Sequence, residues 1–134
     1  MSGEIVANEQ VEPQWFVDLD WYQENDRSFA VLAQDCLCPK CRKRLKNGEI
    51  SAADLLATIR DCCSRKPSFI TGKLAVSESM FRLFLANGNQ PLSLEELGEQ
   101  LNEWRGRDSQ RVSNEILSRL LDNDQYYGFR QASD

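Results

Sequence analysis

All five cysteines of the chain lie in two places. Cys36, Cys38 and Cys41 stand within Cys36-Leu-Cys-Pro-Lys-Cys41, and Cys62 and Cys63 are adjacent about twenty residues later. This is metal-ligand spacing. A two-residue gap lets a tight turn present both sulfurs of Cys38 and Cys41 to one ion, and Pro39 pre-sets that turn. The chain has no histidine, so an imidazole ligand is excluded. The expected site is therefore Cys₄, drawn from five candidates. Cys38 and Cys41 form the knuckle; Cys36 and one or both of Cys62 and Cys63 complete it. Adjacent residues rarely point the same way, so the alternative to both serving is that one of the last two is a buried bystander. Zn²⁺ is the leading expectation for the metal, and an iron–sulfur cluster, also held by four thiolates, is the alternative.

A closed Cys₄ site has no open coordination position for catalysis. Without histidine there is no Ser-His or Cys-His dyad, and the seven glycines form no phosphate-binding loop. The expectation is a protein that is not an enzyme and takes no small-molecule substrate.

Charge is unevenly spread. The net charge is −5. Residues 1–27 carry one arginine against seven acids, residues 28–72 eight cations against four acids, and residues 73–134 seven against ten. The cysteine-rich segment is thus a basic stretch between acidic ones. Arg42, Lys43, Arg44 and Lys46 follow the knuckle directly and are candidate phosphate contacts. The start, MSGEIVANEQ, lacks the basic and apolar pattern of a secretion signal, and no apolar run is long enough to span a bilayer. The expectation is a cytoplasmic, reducing location with no membrane contact, where clustered cysteines serve as ligands.

These residues need elements to place them. Residues 1–12 read as a disordered acidic tail. Residues 13–72 read as an aromatic lead-in followed by the metal module. Trp15, Phe16, Trp21 and Tyr22 fall close together in the lead-in, and Asp20 is a candidate cap for a short helix. Ser28 to Ala33 reads as a helix running into the cysteines. Asn47-Gly48 is a turn, and Ser51-Ala-Ala-Asp54, with Ile50 and Leu55 as a hydrophobic staple, opens a helix ending near Cys63. Pro67 stops it, and residues 64–73 read as a linker. Residues 73–134 read as a helical domain. One helix runs over 77–87 with Met80, Phe81, Phe84 and Leu85 inward. The capping box Ser93-Leu-Glu-Glu96 opens a second, carrying Leu94, Leu97, Leu101 and Trp104. Val112, Ile116, Leu117, Leu120 and Leu121 mark a third, and Tyr126 to Arg130 a short strand.

Three helices, a Pro91-containing link and a closing strand over residues 75–131 resemble a winged helix-turn-helix. The fold class implied is mainly α: a small Cys-rich metal module joined to a three-helix winged-helix-like domain with a truncated, one-strand wing. In that family the third helix enters the DNA major groove. The resemblance implies that Arg111, Asn114 and Arg119 read bases and that Arg105 and Arg107 meet phosphates. The leading functional expectation is a metal-stabilised, nucleic-acid-associated regulatory protein, acting on transcription, with DNA or a nucleic-acid-associated complex as partner. The alternatives are a protein–protein adaptor or accessory subunit, and an iron–sulfur redox sensor.

Overall fold

Serine caps open four of the helices. The hydroxyl oxygens of Ser28, Ser51, Ser93 and Ser113 accept from the backbone N–H of Val31, Asp54, Glu96 and Ile116. Each satisfies one of the donors that a helix start leaves without an intrahelical partner. At Ser93 the box is reciprocal, because Glu96 Oε1 accepts from the Ser93 N–H at 2.9 Å. Leu92, just before this cap, and Leu97, four residues after it, are both buried and stand at the positions of a hydrophobic staple.

The computed structural model describes residues 12–45, 50–106 and 110–132. Most of the expected acidic tail (residues 1–11) and the Asn47-Gly48 turn lie outside these residues. The order of elements is β1 (Gln14–Val17), α1 (Leu19–Glu24), α2 (Phe29–Gln34), α3 (Pro39–Arg44), α4 (Ala52–Asp61), a 3₁₀ turn (Cys63–Arg65), α5 (Val76–Ala86), β2 (Leu92–Ser93), α6 (Leu94–Arg105), α7 (Asn114–Asp122) and β3 (Phe129–Gln131). The protein is mainly helical, with a small three-stranded sheet.

The sheet differs from expectation in its membership. Its order is β2-β1-β3, and both pairings are antiparallel. Trp15 lies opposite Leu92 on one side and Gln131 on the other. The aromatic lead-in is therefore partly a central strand, and β3 is not alone. Asn89, at φ 62°, holds this arrangement from the turn after α5. Its side chain accepts from Val17 N–H at 2.9 Å and donates to Val17 C=O at 2.8 Å. The cap of α1 is Asp18, whose carboxylate accepts from Asp20 N–H, so Asp20 sits in the first turn instead. Asp18 also pairs with Arg130 at 3.0 Å, joining the ends of the chain.

One hydrophobic core runs through both halves. It includes Val17, Phe29, Leu55, Ile59, Phe81, Phe84, Leu97, Leu117 and Phe129. Phe69 and Ile70, within the stretch expected to be a linker, are buried. Met80, Phe81, Phe84 and Leu85 face inward. Tyr127 packs on Phe81 and Phe129 on Phe84, with ring centroids 5.0 Å and 5.9 Å apart. Two apolar positions of the third helix differ. Val112 is buried but precedes the helix, and Ile116 is 43% exposed. Ile116 falls off the stripe formed by Leu117 and Leu121, which are four residues apart on one face.

Two consequences are measurable. Asn89→Ala loses both hydrogen bonds to β1 and leaves a β-carbon at positive φ, so it costs about 2–4 kcal/mol in denaturant unfolding. Asn89→Gly keeps the backbone freedom and costs less. Tyr22 is fully enclosed and its hydroxyl donates to Tyr127 C=O. Burial raises its pKa well above the ordinary value, and burial likewise pushes Tyr127 up to about 12. Folding therefore holds the Tyr22 proton more tightly than the unfolded chain does. Its contribution is complete below pH ~10 and is lost as the pH rises further, by up to about 1.4 kcal/mol per pH unit. Unfolding free energies at pH 9 and 11 should show this loss, and Tyr22→Phe should reduce it.

Candidate metal centre

The knuckle is the start of α3. Cys38 is its N-cap, in an extended conformation (φ −70°, ψ 161°), and Pro39 follows at the first helical position. Proline suits that position because its φ is already helical and its missing N–H would have no partner there. Cys41 lies one turn along, so Cys38 and Cys41 share a face.

The other pair depends on how α4 ends. A continuing helix would turn Cys62 and Cys63 about 100° apart. Instead Cys62 leaves the helical region at φ −127°, ψ −64°, and a 3₁₀ turn begins at Cys63. This break brings both sulfurs toward the knuckle. The sulfurs of Cys38, Cys41, Cys62 and Cys63 all lie within 4.8 Å of one another. Cys41 Sγ and Cys62 Sγ are 3.4 Å apart, and Cys38 N–H donates to Cys63 Sγ at 3.1 Å. Cys62 is half-buried and the other three are buried. Four converging thiols with amide donors aimed at them can hold a metal ion.

Membership of the site departs from expectation at Cys36. Both Cys62 and Cys63 belong to the group, and the one left out is Cys36. Its thiol donates to Leu32 C=O at 3.6 Å within the turn that follows α2.

The local electrostatics set the pH behaviour. The Cys41 amide, facing Cys38 Sγ at the open end of α3, favours the thiolate and lowers Cys38 to about 7. Burial pushes Cys41 up to about 12 and raises Cys63 as well. Buried thiols must lose protons to a metal, so loading weakens as the pH falls.

The basic residues fall into distinct classes. Lys40, Lys43 and Arg44 are exposed on α3. Arg44 also reaches within 3.8 Å of Cys41 Sγ. Arg42 is exposed but tethered, donating to Asp35 C=O at 3.1 Å and Leu37 C=O at 3.4 Å. Arg65 and Lys66, exposed beside Cys63, were not among the expected contacts. Their position directly after the cysteine pair was the available signal. Lys46 and Arg107 lie outside the described residues.

Arg105 is not placed to meet phosphates. It donates to Leu74 C=O at 2.9 Å, Ser79 Oγ at 3.1 Å and Gly72 C=O at 3.3 Å, fastening α6 to α5 and to the segment before it. Arg111, Asn114 and Arg119 are exposed at and before α7, among the exposed acids Glu115 and Asp122.

No family model matches this chain, and neither a curated protein nor a solved structure does. Among the described residues, no helix is long and apolar enough to cross a membrane.

Serine substitutions test the membership. Cys38→Ser, Cys41→Ser, Cys62→Ser and Cys63→Ser should each abolish tight metal loading, measured by elemental analysis of purified protein. Cys36→Ser should retain it. Loss of metal from Cys36→Ser, with retention in Cys62→Ser or Cys63→Ser, would contradict this set.

Proposed function

We propose that the protein is a metal-stabilised, nucleic-acid-associated regulator that meets the phosphate backbone through the cations around its Cys₄ centre. The observation that carries this reading is the position of α3. Its Cys38 and Cys41 face belongs to the thiol group, and it carries Lys40, Lys43 and Arg44 exposed. Arg65 and Lys66 emerge from the strand of chain that supplies Cys63. A metal there fixes the backbone of two cationic segments at once, so their charges are placed before any ligand arrives. Phosphate contacts of this kind position a protein on nucleic acid without reading sequence.

The compact sulfur set favours Zn²⁺. A tetrahedral ion with bonds of about 2.3 Å needs sulfurs about 3.8 Å apart. The four here lie close to that spacing, whereas an iron–sulfur cluster needs room for several irons and sulfides between the thiolates. Such a centre is structural, and the proposal is of a protein that is not an enzyme.

The winged-helix resemblance bears on a second surface. The helices α5, α6 and α7 followed by β3 keep the expected order, and β3 pairs with β1 where a lone closing strand was expected. The exposed face of α6 and α7 is acidic, with Glu95, Glu96, Glu99, Glu103, Glu115 and Asp122 outward. That charge repels phosphates and suits a basic protein surface. An adaptor role for this face, alongside nucleic-acid contact at α3, is consistent with both charge patterns.

Metal-loaded protein should bind DNA with a Kd that rises steeply with salt. Lys43→Gln and Arg44→Gln should each lower the slope of log Kd against log salt by about 1. Fluorescence anisotropy across a salt series measures this, and a Kd indifferent to salt would overturn the reading.

A further inference from the structure

A groove of about 720 Å³ opens beside α3, on residues that the metal centre does not use. Its apolar lining is Leu37, Pro39, Leu45 and Ile50. Arg42 and Lys43 add positive charge, and Gln34 and Asp35, at and after the end of α2, add polar groups. Along α3, Pro39, Arg42 and Lys43 are spaced three and four residues apart. They form a stripe adjacent to the Cys38 and Cys41 face. The same helix therefore presents one face to the metal and another to the groove.

We infer that this groove takes an unpaired, amino-bearing base of a single-stranded nucleic acid. The inference rests on the reading of α3 as a phosphate-contacting helix. Three features of the groove match that occupant. Its apolar walls suit the faces of a base removed from water. The Arg42 guanidinium is fixed by its bonds to the carbonyl oxygens of Asp35 and Leu37, so a flat cationic surface is held ready for stacking. Lys43 stands on the same stripe for the phosphate attached to that base.

The polar groups select the base edge. The Asp35 carboxylate accepts hydrogen bonds only, and the Gln34 amide both donates and accepts. An exocyclic amino group, as in cytosine or adenine, donates to either. Uracil presents a carbonyl at the corresponding position, which faces the Asp35 carboxylate unfavourably. A duplex hides this edge in pairing, so the groove discriminates for single strands.

Three strands of equal length test the inference on the zinc-loaded full chain: oligo(dC), oligo(dU) and an abasic phosphodiester strand. All three carry the same backbone charge. Oligo(dC) should bind about tenfold or more tighter than the abasic strand, the range expected for one stacked base. It should bind about fivefold or more tighter than oligo(dU), the range for a matched base edge. Gln34→Ala and Ile50→Ser should each bring oligo(dC) toward the abasic strand, one by removing an edge partner and the other by removing apolar lining. Equal binding of oligo(dC) and the abasic strand, with both salt-dependent, overturns the base site and leaves the backbone reading standing. A preference for oligo(dU) overturns the edge assignment. No binding of any strand overturns both readings and leaves the groove to a protein partner.

Discussion

Four thiols cannot meet at one point unless two separate backbone turns deliver them. One turn is the proline-led start of α3, and the other is the break between α4 and the Cys63–Arg65 turn. Neither has much apolar material of its own. The described part of α3 buries only Cys41 within its span. A helix of six residues is far below the length that holds in water by itself. Its orientation therefore depends on what its sulfurs do together with Cys62 and Cys63, aided by the Arg42 bonds to Asp35 and Leu37 C=O and by Leu37 and Leu45 at its ends. Everything that α3 displays, including the exposed cations and the groove-lining stripe, inherits its position from that convergence.

The rest of the molecule is built to keep the second turn in place. The α4 helix buries Leu55 and Ile59 against the core and so fixes where its C-terminus ends. The Phe69 and Ile70 segment that follows is also buried, with Phe69 in a tilted contact with Trp104 and the Arg82 guanidinium over its ring. Arg82 donates to Phe69 C=O and Asp35 C=O, linking this segment to the turn before the knuckle. On the far side, β1 lies between β2 and β3 and ties the start of the chain to its end.

Much of this was legible from local signals. The caps at Ser51 and Ser93 follow from short-range hydrogen bonding and appear where the sequence marks them, whereas the caps at Ser28 and Ser113 were not anticipated. The converging thiol group was legible in Cys38, Cys41 and the Cys62–Cys63 pair, but not in its exclusion of Cys36. Whether Cys62 and Cys63 diverge depends on dihedral angles at Cys62, which no spacing rule encodes. Cys36 resembles a ligand by proximity alone, while its thiol is used by Leu32 C=O. Arg105 looked like a surface cation because its partners, Leu74, Ser79 and Gly72, are more than twenty residues away in sequence. The strand β1 was masked by its aromatic density and its partners' distance along the chain. Arg105 and β1 depend on long-range contacts that a local pattern does not carry, whereas Cys36 and Cys62 depend on local backbone conformation that spacing alone does not encode.

Amide hydrogen exchange before and after chelation addresses the central dependence most directly. With the metal removed, amides of α3 and of Cys63–Arg65 should lose protection, because binding energy at such a site is folding energy. Amides of α5 and α6, held by the apolar core, should keep most of theirs. Unchanged protection of α3 after complete removal of the metal would contradict the account.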